Sequence, residues 1–192
     1  MLDIDRLIAE CEAAVVSGGG EKQVHDIVAR AVSDPAAAMA ALGEPTGPGL
    51  NILHRSRRLT VINLVWGPNA LTRPHEHRMW AVIGMYTGRE DNIFWRRLPE
   101  TEGSRVEAAG ARALMPGQAC PLGRDIVHSV LNPLSRLTGA LHVYGGDFIE
   151  AERSEWNDET LREQPFDYAT ARARVEASKE AWANHLRTQK GL

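Results

Sequence analysis

Cysteine is scarce in this sequence: Cys11 and Cys120 are the only two among 192 residues. Two lone thiols make no disulfide framework, so the chain reads as cytoplasmic with free thiols. Long apolar runs are missing as well. The longest are a few residues, well short of the ~20 needed to cross a bilayer, and no membrane partner is expected. The opening stretch from Met1 to Glu12 is acidic where a secretory signal carries positive charge ahead of an apolar core. There is no basic block either: 22 Lys and Arg stand against 25 Asp and Glu, a formal net charge of −3. Proteins that hold nucleic acid by counterion release need a basic stripe, so nucleic acid is not an expected partner. Aromatics make up only 6% of the chain, yet 43% is hydrophobic. A chain of this length buries roughly 70% of its unfolded surface and needs no metal merely to fold.

What is present falls into three stretches. Ile4, Leu7, Ile8, Cys11, Ala14 and Val15 recur at helical spacing until Gly18-Gly19-Gly20 stops them, and Val24, Ile27, Val28 and Ala31 repeat the pattern. Asp34-Pro35 supplies an N-cap and a first-turn proline for an Ala-rich third helix closed by Gly43. The run from Glu44 to Gly49 is the clearest boundary. Beyond it lie short strand-like runs: Leu59–Trp66, Trp80–Tyr86, Asn92–Arg97, Ala111–Met115, Asp125–Leu131 and Leu137–Tyr144. Gly, Pro and Asn separate them at roughly 8–15 residues, the signature of an antiparallel sandwich or barrel. After Phe148 the pattern turns helical again, with Tyr168, Val175, Trp182 and Leu186 on one face. The expected layout is helices over 1–49, a β core over 50–150 and a helical extension over 151–192.

Five of the seven histidines fall in the β core, and four of them, His75, His77, His128 and His142, fall in a suggestive order. His75 and His77 form a His-Glu-His on a predicted strand, and side-chain alternation would point both imidazoles the same way, with Glu76 opposite. A chelating pair for a divalent metal and a pair of polar residues on a solvated face both fit. Gly67-Pro68 precedes them, and Gly84 and Gly88 follow. Five residues then separate Gly110 from Pro116, and three separate His128 from Asn132.

This spacing resembles the two motifs of the cupin superfamily. The resemblance implies a mainly β fold, a cupin-type double-stranded β-helix or jelly-roll barrel, with N-terminal helices and a C-terminal helix. It implies His75, His77 and His128 as metal ligands. The glutamate usual in the first motif is absent, since Ala81 and Val82 stand there, so the site would be three neutral imidazoles with positions left open. Downstream, the alternation in Ala140–Tyr144 puts His142 and Tyr144 on one face. A three-His cupin followed by His-x-Tyr resembles the thiol dioxygenases, the cysteine dioxygenase family, and Trp66 matches a tryptophan there. That resemblance implies Tyr144 and His142 as catalytic residues, and Arg55 and Arg58 as candidates for binding the substrate carboxylate. Ala140 replaces the family's serine, and Val82 occupies the place of a cysteine that crosslinks to the tyrosine in some members.

The function so implied is a mononuclear Fe(II) dioxygenase that oxidises a small anionic thiol with O2 to a sulfinate; Zn, Ni, Cu and Mn stay open as the metal. Two alternatives stand beside it: a three-His cupin that oxidises carbon, and a non-catalytic cupin that binds metal and ligand as a sensor or carrier. A metal-dependent isomerase or hydrolase ranks below these, because it would want a carboxylate base in the pocket. A homodimer is left open. Arg89, Glu90, Arg96 and Arg97 are read as a solvated rim, Trp80 and Trp95 as core, and Cys120 as a small buried hydrophobe.

Overall fold

A computed structural model describes residues 2–99 and 103–189. Three helices open the chain: α1 (Ile4–Val16), α2 (Gly20–Val32) and α3 (Pro35–Leu42). Local chemistry sets their ends. The Asp3 carboxylate accepts the Arg6 amide, the Asp34 carboxylate accepts the amides of Ala36 and Ala37, and Pro35 opens α3 where no amide is needed. Gly18 leaves α1 at φ +81°, a conformation that favours glycine.

Among the described residues ten strands follow: β1 (Gly49–Arg55), β2 (Thr60–Trp66), β3 (Ala81–Thr87), β4 (Glu90–Arg97), β5 (Val106–Leu114), β6 (Ala119–Leu122), β7 (Val127–Leu131), β8 (Thr138–Tyr144), β9 (Ser154–Trp156) and β10 (Glu163–Pro165). A final helix, α4, spans Tyr168–Gln189. The pairings are antiparallel, in a five-stranded sheet ordered β1-β2-β8-β3-β6, a three-stranded sheet ordered β5-β4-β7 and the short β10-β9 pair. Among the described residues, strand pairing does not join the sheets into a closed barrel. The structure adds β1 and β6, which the sequence pattern had not marked, and starts β4 at Glu90 rather than Asn92.

Strand parity divides the core into two layers. Val61 of β2, Val82 of β3, and Leu141 and Val143 of β8 face outward onto Leu7, Cys11, Ala14, Val24, Ile27 and Val28 of the helices. Gly84 on the same face lets α2 approach, since a β-carbon there would lie 2.5 Å from Val28. Ile62, Leu64, Ala81, Ile83, Met85, Ala140 and Tyr144 face inward, and Leu114 and Phe94 of the three-stranded sheet join that layer. Each fully buried aliphatic side chain in either layer contributes about 1.5–3 kcal/mol.

Two expectations change. The stretch after Phe148 is not helical at once: β9 and β10 intervene, and Glu155 bridges back to His75. The apolar stripe of α4 is largely uncovered, with Tyr168 43% and Leu186 38% exposed. No helix among the described residues is long and apolar enough to cross a membrane.

Candidate metal centre

The inner layer turns polar at one end. His75 and His77 sit in the crossover between β2 and β3, not on a regular strand, and His128 is on β7. Backbone hydrogen bonds lock the crossover in place: the His75 amide donates to the His128 carbonyl at 2.8 Å, and the His128 amide returns the bond at 3.0 Å. His77 and His128 are buried and His75 is half-buried. The His77 Nε2 lies 3.2 Å from Nε2 of both His75 and His128.

Hydrogen bonds at the far side of two rings show what those nitrogens carry. His75 Nδ1 lies 2.9 Å from the Arg73 carbonyl, which can only accept, so that nitrogen holds the proton. His128 Nδ1 lies 2.7 Å from Asn92 Oδ1, while the Asn92 amide group donates to Glu90. Both Nε2 atoms are therefore lone pairs, and both face His77. One proton on His77 cannot satisfy two such neighbours with good geometry, so the arrangement suits a shared cation better than a hydrogen bond. Three nitrogens each about 2.1 Å from one ion lie about 3.0 Å apart at right angles and about 3.4 Å apart at tetrahedral ones. The observed 3.2 Å falls between them. The residues fit a divalent metal.

Burial keeps the rings neutral, the form that binds metal. It holds His75 down at about 4, against the opposing pull of the Arg73 carbonyl. His77 and His128 lie well below the ordinary histidine range through burial and through repulsion from the neighbouring rings.

His142 and Tyr144 project from β8 toward the same pocket. Tyr144 meets His77 edge-on at 5.1 Å and stacks on Phe148 at 4.0 Å. Its hydroxyl lies 3.2 Å from His142 Nδ1, and burial pushes its pKa up, so it stays a phenol. Ala140, on the same face, offers His142 no side-chain bond. The neighbour comes instead from a residue that sequence reasoning placed on a solvated rim. Glu90 is 0% exposed. It accepts from Trp66 Nε1 at 2.7 Å and from Asn92 Nδ2 at 2.9 Å, and its Oε2 lies 3.4 Å from His142 Nε2. This last contact is an electrostatic one, since its alignment falls short of a hydrogen bond and leaves His142 Nε2 without a bonded partner. Burial raises the Glu90 pKa, but the His142 contact and the two donors outweigh it and bring the net value below the usual carboxylate range. One carboxylate thus touches Asn92, which orients the His128 ring, and His142, which touches Tyr144. The missed signal was parity: Glu90 and Asn92 are two apart and share the inward face.

Other placements depart from expectation. Arg96 stays on the rim against Glu107, and Arg89 pairs with Asp91. Arg97 and Arg78 both bind Glu76, which is buried away from the imidazoles. Val82 faces the helices, so it is Ala81, paired in register with Tyr144, that neighbours the tyrosine; no thioether can form from either. Arg55 is held by Asp147 at 2.9 Å and by Glu150 at 2.9 Å, and Arg58 is exposed in the β1–β2 turn. Neither is brought to the histidine cluster. Cys120 is buried, with its thiol pKa raised by burial.

No protein-family model matches the chain. Among solved structures, an RmlC-like cupin family protein with a double-stranded beta-helix fold from Methanocaldococcus jannaschii is 8% identical, with 55% of this chain and 85% of that one covered at a TM-score of 0.45. KdgF from Halomonas sp. is 17% identical over 54% of this chain and 83% of its own, at a TM-score of 0.41. A deletion mutant of Bacillus subtilis oxalate decarboxylase is 16% identical over 59% of this chain and 29% of its own, at 0.43. Likeness at this level carries no argument, and the case for a function rests on the side chains above.

Proposed function

We propose that this chain is a three-His cupin and a mononuclear metal-dependent dioxygenase, with His75, His77 and His128 as ligands and a small anionic thiol as substrate. The observation that carries the reading is the convergence of buried imidazoles, two of them with Nδ1–H bound elsewhere and lone pairs facing His77. When bound there, iron(II) would supply dioxygen activation and would lower the pKa of a coordinated thiol.

The chain's own residues do the rest. Asn92 fixes the His128 tautomer, and the Arg73 carbonyl fixes that of His75. Phe148 and Tyr144 wall the cluster against water. The Tyr144 hydroxyl can donate to Nδ1 of His142, whose Nε2 lies 3.4 Å from Glu90 without a formed hydrogen bond. Turned away from His142, the single proton of this neutral phenol can instead be donated to a developing charge on substrate.

Glu90 also bears on the isomerase or hydrolase reading, which wanted a buried carboxylate base. Its two oxygens already accept from Trp66 and Asn92. It supports its neighbours and is poorly placed to take a substrate proton.

The test is oxygen uptake by iron-loaded protein across a panel of mercapto acids, diketones and aromatic acids. Stoichiometric O2 consumption with sulfinate formation is the expected result. Oxygen consumed only with a carbon substrate would favour the carbon-oxidising cupins, and tight ligand binding without turnover would favour a sensor or carrier.

A further inference from the structure

The three histidines of the cluster are not held alike. His75 is tied to His128 by two backbone bonds, and the rings of both are fixed at Nδ1, by the Arg73 carbonyl and by Asn92. His77 has neither kind of support. Among the described residues nothing hydrogen-bonds its Nδ1, and the main chain of His77, Arg78 and Met79 makes no hydrogen bond. Tyr144 and Phe148 meet the ring edge-on, a contact that carries no directed bond.

Side chains span this unsupported stretch instead. Glu76, between the two histidines in sequence, is 3% exposed and turns its carboxylate away from the imidazoles. Its Oε1 accepts from Arg78 Nε and its Oε2 from Arg97 Nη2, so each oxygen faces its own guanidinium. The Glu76–Arg78 bond thereby joins the residues on either side of His77. Arg78 stands at φ +58°, a left-handed backbone that a non-glycine residue keeps only when its surroundings hold it there. Arg97 anchors the arrangement. It ends β4, donates through Nη1 to the Asp125 carbonyl at 2.7 Å and lies over the Trp156 ring at 5.4 Å. Trp156 donates its amide to the Pro74 carbonyl at 2.8 Å, so both ends of the His75–His77 segment lead to one anchor. Opening either ion pair would leave a buried charge without its partner, which keeps the arrangement closed.

We propose that Arg97, Glu76 and Arg78 form a clasp that positions His77, doing for this ring what the Arg73 carbonyl and Asn92 do for the other two. All three are positioning residues, since their contacts lie on the side away from the cluster. That the ring so placed is a metal ligand rests on the metal-centre reading; the hold on His77 does not.

The experiment reads the full-length protein in two ways: the visible spectrum of its cobalt(II)-saturated form, and the imidazole resonances of metal-free protein isotopically labelled at histidine. Glu76→Gln and Arg97→Met should each weaken cobalt binding about tenfold or more and alter the spectrum of the saturated complex. In metal-free protein they should shift or broaden the His77 resonance more than those of His75 and His128. Arg78→Ala should act in the same direction. Arg78→Gly, which takes the left-handed backbone freely, should bind cobalt about threefold or more tighter than Arg78→Ala. Leu141→Ala, destabilised on the opposite face of the sheet, should keep the wild-type spectrum and His77 resonance. A wild-type spectrum with an unmoved His77 resonance in Glu76→Gln and Arg97→Met, or equal changes at all three histidines, overturns the proposal. Should those two variants not fold, Arg97→Lys replaces them: it keeps the charge without the fork, the His77 resonance should still move most, and an unmoved one is again contrary. Failure of wild type to take up cobalt would count against the metal centre alone, because the His77 resonance of metal-free protein still judges the clasp.

Discussion

The two faces of the five-stranded sheet are built by the same strands and do opposite work. The outward face of β2, β3 and β8 presents Val61, Val82, Leu141 and Val143 to the helices. The inward face of the same strands presents Ile62, Ile83 and Met85, then gives way to His142 and Tyr144 beside the cluster of His75, His77 and His128. Val143 is next in sequence to both His142 and Tyr144, and that single step along the strand moves a side chain from an all-apolar layer to a pocket of titratable groups. The lesson is a division of labour. The outer layer carries stability, and the inner layer can hold costly buried polar groups because the outer one does not need them.

The widest separation should come from deleting one side chain on each face. His77→Ala should abolish stoichiometric metal binding while leaving the metal-free fold intact. Leu141→Ala should cost about 2–5 kcal/mol of stability and leave metal per folded chain unchanged. Elemental analysis and denaturant unfolding of both variants check the pair. Metal loss in Leu141→Ala at full folding would erase the distinction.

Acid should act on the inner face more than on the outer one. His75 is half-buried, and loss of solvent around its ring lowers its pKa to about 4, so folding favours its neutral form. A histidine free in the unfolded chain takes a proton near 6.5. The unfolded state therefore binds more protons below about pH 6.5, and the stability of metal-free protein should decline as pH falls from there toward 4. Unfolding midpoints across that window check it, and a His75→Ala variant should show a shallower decline.

Glu90→Gln is next. It places an amide against the Trp66 and Asn92 donors and removes the charge facing His142. A stability loss of about 1–3 kcal/mol is expected, together with a fall in kcat larger than the fall in metal content. Tyr144→Phe should lower turnover about tenfold, roughly 1.4 kcal/mol of barrier, with metal content near wild type. Ala140→Ser should change kinetics least, because Glu90 already faces His142. Steady-state kinetics on the true substrate rank the three, and an unchanged Tyr144→Phe would return that tyrosine to the ordinary core aromatics.

The histidine cluster was legible because its chemistry is written in residue type and spacing: His75, His77 and His128 are few, distinctive and embedded in turn signals. Helix ends were legible for a similar reason, as Asp34 and Gly18 act locally. Glu90 was not. It stands between Arg89 and Asp91, which pair with each other in solvent reach, and only a strand starting at Glu90 rather than Asn92 shows that it faces inward. Val82 shows the reverse error, a motif position matched in sequence and turned by parity to the wrong face. Residues that act through neighbours distant in sequence are set by register, which a single sequence states only weakly.

The central claim is that three buried imidazoles hold one metal. X-ray absorption on protein purified without added metal, with elemental analysis of the same sample, tests it most directly. The account predicts one metal per chain with three nitrogen neighbours at about 2.0–2.2 Å. Protein that carries no metal above background and takes up none when divalent iron, zinc or nickel is supplied would contradict it.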